Sequence, residues 1–130
     1  HPNVTESTFS DIVWDLRKDL TMFMENYMRE VTPEFVKLSI GLRSPQIYER
    51  TAPLIMNIPQ VFLSSLKKYL EEARRRGMTK DVDCGAVAEI LMSATFGFVF
   101  LSASFGDKLI VEERARYIAE TVETVVGGIA

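Results

Sequence analysis

At 130 residues the chain is one domain by length, long enough to bury a real core. Its composition, 47% hydrophobic and 25% charged, is that of a soluble globular protein, and a net charge of −3 gives no global attraction to nucleic acid. One cysteine, Cys84, excludes an intramolecular disulfide and, with His1 the lone histidine, a Cys/His zinc site.

These bounds set the first expectations. The setting is reduced and cytoplasmic, and no metal or cofactor is implied. The polar start, HPNVTEST, carries no secretory signal, so residues 1–8 are expected to be linker-like or disordered and residues 9–130 to form the domain.

Everything after that reads helical, with no alternating strand pattern and no repeat. The first helix is expected from about Ser7 to Glu30, on a stripe of Phe9, Ile12, Val13, Leu16, Leu20, Phe23, Met24, Tyr27 and Met28. It is either continuous or divided before Asp15. Thr32-Pro33-Glu34 opens a short second helix that Gly41 stops near Ile40.

Ser44-Pro45 suggests a turn, followed by a short helix around Gln46 to Thr51. Pro53 and Pro59 then interrupt a helical stretch, and Pro59 predicts a kink or restart. Beyond it, Phe62, Leu63, Leu66, Tyr69, Leu70 and Ala73 make an amphipathic helix. Arg74, Arg75 and Arg76 complement its dipole and Gly77 caps it.

Asp81 or Asp83 caps the segment on which the chain is organised, Cys84 to Phe105. Of its 22 residues 15 are apolar, and Glu89 is its only charge. Ile90, Ala94, Gly97 and Leu101 are assigned to one side, and Met92, Phe96, Val99 and Ala103 to the other. A helix apolar all round must be covered all round. One chain of this size covers one side, so a partner subunit, a ligand, or both are expected on the second. The charge-free run Ile90 to Gly106 is 17 residues and contains Ser93, Thr95, Ser102 and Ser104, which predicts a buried soluble helix rather than a membrane span.

Gly106 ends that helix. A last one is expected from about Val111 to Val126, with Val111, Ala115, Ile118, Ala119, Val122, Val125 and Val126 as its stripe. Glu113, Arg116, Glu120 and Glu123 lie opposite, and Arg114, Tyr117 and Thr121 flank the stripe as the rim of an interface.

This order of elements resembles the C-terminal effector-binding and dimerisation domain of TetR-family transcriptional regulators. The resemblance spans roughly residues 9–130. It is carried by YLEEARRRGMTKDVD (Tyr69, Leu70, Ala73, Gly77, then Asp81 and Asp83), by AVAEILMSATFGFVF, opened by Ala88, and by the tail Tyr117 to Ala130 ending VVGGIA. The family's N-terminal helix-turn-helix finds no match here, so the resemblance implies an excised domain or a stand-alone relative, with DNA binding left to a parent protein.

The resemblance implies an all-α antiparallel bundle of about five to six helices. Its last two helices would form a four-helix interface with a twofold mate. Ser93 and Gly97, one turn apart, would admit the partner helix, or else make room within one subunit; Arg114, Tyr117, Ile118, Thr121, Val122 and Val125 would complete the interface. It also implies a pocket for a small apolar effector, lined by Phe23, Met24, Tyr27, Met28, Met56, Phe62, Leu66, Phe96 and Phe100. Tyr27, Asn57, Gln60 and Thr95 are its candidate polar contacts.

Two other classes are weighed. Arg74-Arg75-Arg76 with Lys67-Lys68 is interrupted by Glu71 and Glu72 and lacks an aromatic platform, so a solvated helix end is the reading preferred over a nucleic-acid patch. An enzyme is not expected, because there is no internal histidine, phosphate loop or nucleophile motif. The remaining rival is a helical interaction module that dimerises or grips a partner and takes no small molecule.

Overall fold

The structure, a computed structural model, describes residues 9, 11–41, 45–106 and 113–130, with side chains throughout these ranges except at 39–41, 45–48 and 50–56. It is all-helical. The described residues form five helices and no strand: α1 Leu16–Glu30, α2 Pro33–Gly41, α3 Pro45–Arg75, α4 Cys84–Phe105 and α5 Arg114–Ile129. The expected features of residues 1–8, the turn at Ser44 and the start at Val111 lie outside the described residues.

Of the two expectations for the first helix, the division before Asp15 is the one found: residues 11–15 are not helical, and α1 begins after Asp15, whose carboxylate accepts from the Lys18 amide at 3.1 Å. The break has a visible cause. Trp14 sits at φ 57, a left-handed conformation that turns the chain out of any helix. The second helix begins at Pro33, with Thr32 Oγ1 accepting from the Phe35 amide at 3.1 Å, and ends at Gly41.

The region of Pro53 and Pro59 departs from expectation. No short helix at Gln46–Thr51 and no restart at Pro59 is found; one 31-residue helix runs from Pro45 to Arg75. Each internal proline deletes one donor, and the helix continues through both positions. Pro45 and Pro33 occupy first helical positions, where no donor is needed.

The end of α3 is a Schellman motif. The Met78 amide donates to the Ala73 carbonyl and the Gly77 amide to the Arg74 carbonyl, both at 2.9 Å, with Gly77 at φ 78. Of the two candidate caps for α4, Asp83 is the one used: its Oδ1 accepts from the Ala86 amide at 3.0 Å. The connection is held elsewhere too, by Arg74 Nη1 donating to the Val82 carbonyl and by the Lys80 amide donating to the Ile129 carbonyl.

α5 continues past the expected end at Val126 to Ile129, through Gly127 and Gly128. Ile129 extends the buried stripe of Ile118, Val122 and Val126 by one more step. Its burial offsets the cost of two helical glycines, each about 1 kcal/mol relative to alanine.

α4 packs against each of the other four helices, and α1 packs additionally on α3 and α5. The core between them is built from Leu20, Phe23, Met24 and Tyr27 of α1, Phe62, Leu66, Leu70 and Ala73 of α3, Ala88 and Leu91 of α4, and Ile118, Val122 and Val126 of α5. Burying one such large side chain contributes roughly 1.5–3 kcal/mol.

The segment before α1 is tied down by a buried carboxylate. Asp19 is 1% exposed and accepts from the Val13 amide at 3.0 Å, the Asp15 amide at 3.1 Å and the Tyr69 hydroxyl at 2.6 Å. Phe9 and Trp14 stack on the Tyr69 ring at 4.8 and 5.3 Å, and the Arg76 guanidinium lies 3.8 Å above the Trp14 ring. Burial, reinforced by the bond to Asp19, pushes the Tyr69 hydroxyl far above its ordinary value, so it remains a donor.

Candidate functional site

Two places carry functional interest: the aromatic centre between α1 and α3, and the outer arc of α4. At the first, the helical spacing of Phe23, Met24, Tyr27 and Met28 turns all four inward, into the same buried core as Phe62 and Leu66. Tyr27 packs edge-on to Phe62 at 5.1 Å, and Phe23 packs edge-on to the same ring at 5.8 Å. Six of the nine expected pocket residues therefore come together.

The other three do not join them. Met56 lies outside the described side chains. Phe96 and Phe100 pack on each other at 6.0 Å on the exposed side of α4, away from the core. The reason is angular: α4 spends its inward arc on Ala88, Leu91, Thr95, Phe98 and Val99. The two sides expected from sequence were each rotated from the true boundary. Ile90 is exposed, not paired with the half-buried Ala94, and Val99 is buried, not paired with Phe96.

The four candidate polar contacts also separate. Asn57 and Gln60 are exposed and line a shallow groove with Val61, Ser64, Ser65 and Lys68. Thr95 is buried, but its hydroxyl donates to the Leu91 carbonyl of its own helix at 2.7 Å. Tyr27 is different. It is fully buried, and its hydroxyl is the one buried side-chain polar atom among the described residues without a hydrogen-bond partner. A hydroxyl left so costs about 1–3 kcal/mol. Burial pushes it well above the ordinary tyrosine value, which keeps the proton on the oxygen.

The outer arc of α4 is apolar and uncovered. Ile90 is 61% exposed and Phe100 36%, with Ser93 exposed between them. An open groove runs beside them along Ala86, Glu89, Ile90 and Ser93. A Cβ added at Gly97 would meet nothing within 4 Å. Among the described residues, none fills the space the glycine leaves. α4 is the one helix among the described residues long and apolar enough to cross a membrane, and 28% of its most apolar window is buried.

The expected interface on α5 divides. Ile118 and Val122 are buried against the chain's own core, so they are not free for a partner, because α1 packs on that stripe. Arg114 is exposed, and Tyr117, Thr121 and Val125 are half-buried. Tyr117 is tied to α4: its hydroxyl donates to the Ala94 carbonyl at 2.8 Å, and its ring lies 4.6 Å from that of Phe98. Ala115 and Ala119, expected on the buried stripe, are exposed.

Sequence reasoning missed Asp19 and Trp14. Nothing in the local pattern separates a carboxylate that caps a preceding turn from one facing water. It also missed the inward arc of α4, although Ala88, Leu91, Thr95 and Phe98 recur at three- and four-residue steps. No family model, no curated protein and no solved structure matches this chain.

Proposed function

We propose that this chain is the effector-binding and dimerisation domain of a TetR-like transcriptional regulator. It is cytoplasmic, binds a small apolar effector and pairs with a second copy of itself. DNA is contacted by a helix-turn-helix outside these 130 residues. The observation that carries the reading is the outer arc of α4, where Ile90, Phe96 and Phe100 stand exposed around Gly97, whose added Cβ would meet nothing within 4 Å among the described residues. Glu89, Ser93 and Ser104 on that arc favour another protein surface over lipid as its cover. Mechanistically, an effector that prefers one arrangement of α1, α3 and α4 shifts the population toward it and so resets the spacing of the parent's DNA-reading domains.

Sedimentation equilibrium at tens of micromolar tests this. The wild type sediments as a dimer, and Phe100→Glu and Ile90→Asp weaken association about tenfold or more while the circular dichroism spectrum is kept. A wild-type monomer sinks the dimer. A dimer whose unfolding midpoint no lipophilic compound raises identifies an interaction module without a small ligand.

A further inference from the structure

The Tyr27 hydroxyl stands out from every other buried polar group described. The Tyr69 hydroxyl has Asp19, the Tyr117 hydroxyl has the Ala94 carbonyl, and the Thr95 hydroxyl has the Leu91 carbonyl. Tyr27 has the same chemistry, is fully buried, and has no partner. Resting on the effector reading above, we propose that the Tyr27 hydroxyl is the polar contact for an uncharged, largely apolar ligand that presents a carbonyl or ether oxygen between α1 and α3.

The surroundings select that class. Phe23, Met24, Phe62 and Leu66 are fully buried and apolar, so they suit carbon. They supply no countercharge, and a charged group placed among them would be desolvated without compensation. The nearest buried carboxylate on the same helix, Asp19, lies eight residues away, roughly 12 Å along the axis, and already accepts three hydrogen bonds. A buried water requires about two to four polar partners, and the side chains of Phe23, Met24, Phe62 and Leu66 supply none. Because burial keeps the phenol protonated, it offers a proton, and the matching group on the ligand is an acceptor.

The test uses matched ketone and hydrocarbon probes: benzophenone with diphenylmethane, acetophenone with ethylbenzene, and 2-nonanone with nonane. Affinities are read by calorimetry and by the shift in unfolding midpoint, for the wild type and for Tyr27→Phe. The ketones bind the wild type about tenfold more tightly than their hydrocarbons, and Tyr27→Phe removes that difference by weakening the ketones alone. If ketone and hydrocarbon bind the wild type alike, or the preference survives Tyr27→Phe, the hydroxyl is not the contact and the effector pocket still stands. If none of the six raises the wild-type midpoint, the pocket and its contact fall together. A ligand-free readout runs beside these. Tyr27→Phe unfolds at the same temperature as the wild type or higher, and a lower midpoint overturns the proposal by showing that the hydroxyl is already satisfied within the protein.

Discussion

The Tyr69 hydroxyl donates to Asp19 Oδ2 over 2.6 Å, joining α3 to α1 through two side chains that are both buried. Asp19 holds two amides of the preceding segment with its remaining acceptor capacity, so the three donors share one charge. Tyr69→Phe removes one donor from a buried carboxylate. It is expected to cost about 1.5–3 kcal/mol in urea unfolding, the range for a hydrogen bond to a charged group. Tyr27→Phe, which removes a hydroxyl with no partner, provides the paired comparison and costs nothing.

Trp14 separates backbone strain from side-chain contact. Its left-handed φ of 57 costs about 1–2 kcal/mol for a residue with a Cβ, and this is offset by stacking on Tyr69 and by the Arg76 cation above the ring. Both Trp14→Ala and Trp14→Gly lose the ring, but only glycine relieves the strain. Trp14→Gly is therefore expected to be the more stable of the two by about 1 kcal/mol, measured as a difference in denaturant midpoint at constant slope. Equal stabilities would mean that the turn is not held in this conformation.

Arg17 and Glu123 join α1 to α5 in a two-point bond, with Nε to Oε2 at 2.8 Å and Nη2 to Oε1 at 3.0 Å, both side chains exposed. The hydrogen bond and then the charge of Arg17 hold the Glu123 carboxyl below its ordinary value. The folded value thus lies below the unfolded one. The contribution is present above the ordinary carboxylate range and is lost as pH falls through the lowered folded value. The same contact raises Arg17, which stays protonated at neutral and acid pH and adds no slope there. Glu123→Gln should lower the unfolding midpoint slightly at neutral pH, less in high salt, and not at all in strong acid. A gap that persists in acid would mean that the side chain contributes through packing.

Where a boundary depends on local chemistry, it could be read in advance. The Gly77 cap, the Thr32-Pro33 start and the Gly106 end of α4 are settled by a few neighbouring residues, and the α4 start is narrowed to Asp81 or Asp83, of which Asp83 is used. Where it depends on distant residues, it could not. Phe9, Ile12 and Val13 keep helical spacing with Leu16, yet Asp19, Tyr69 and Arg76 hold that segment out of the helix. The membership of the aromatic centre followed from the α1 stripe. The exclusion of Phe96 and Phe100 did not, because a helix with apolar residues all round carries no internal mark of which arc faces inward. That arc is chosen by neighbours on four other helices.

Those four attachments also bear on how the chain reaches its native state. Every helix leans on α4, and the buried core draws on α1, α3, α4 and α5 together. Leu91 and Ala88 share one core with residues from earlier in the chain, such as Phe23 and Leu66, and from later, such as Val122. Unfolding is therefore expected as one cooperative transition rather than helix by helix, and trimming Leu91 should slow refolding more than an equal loss on the α5 stripe.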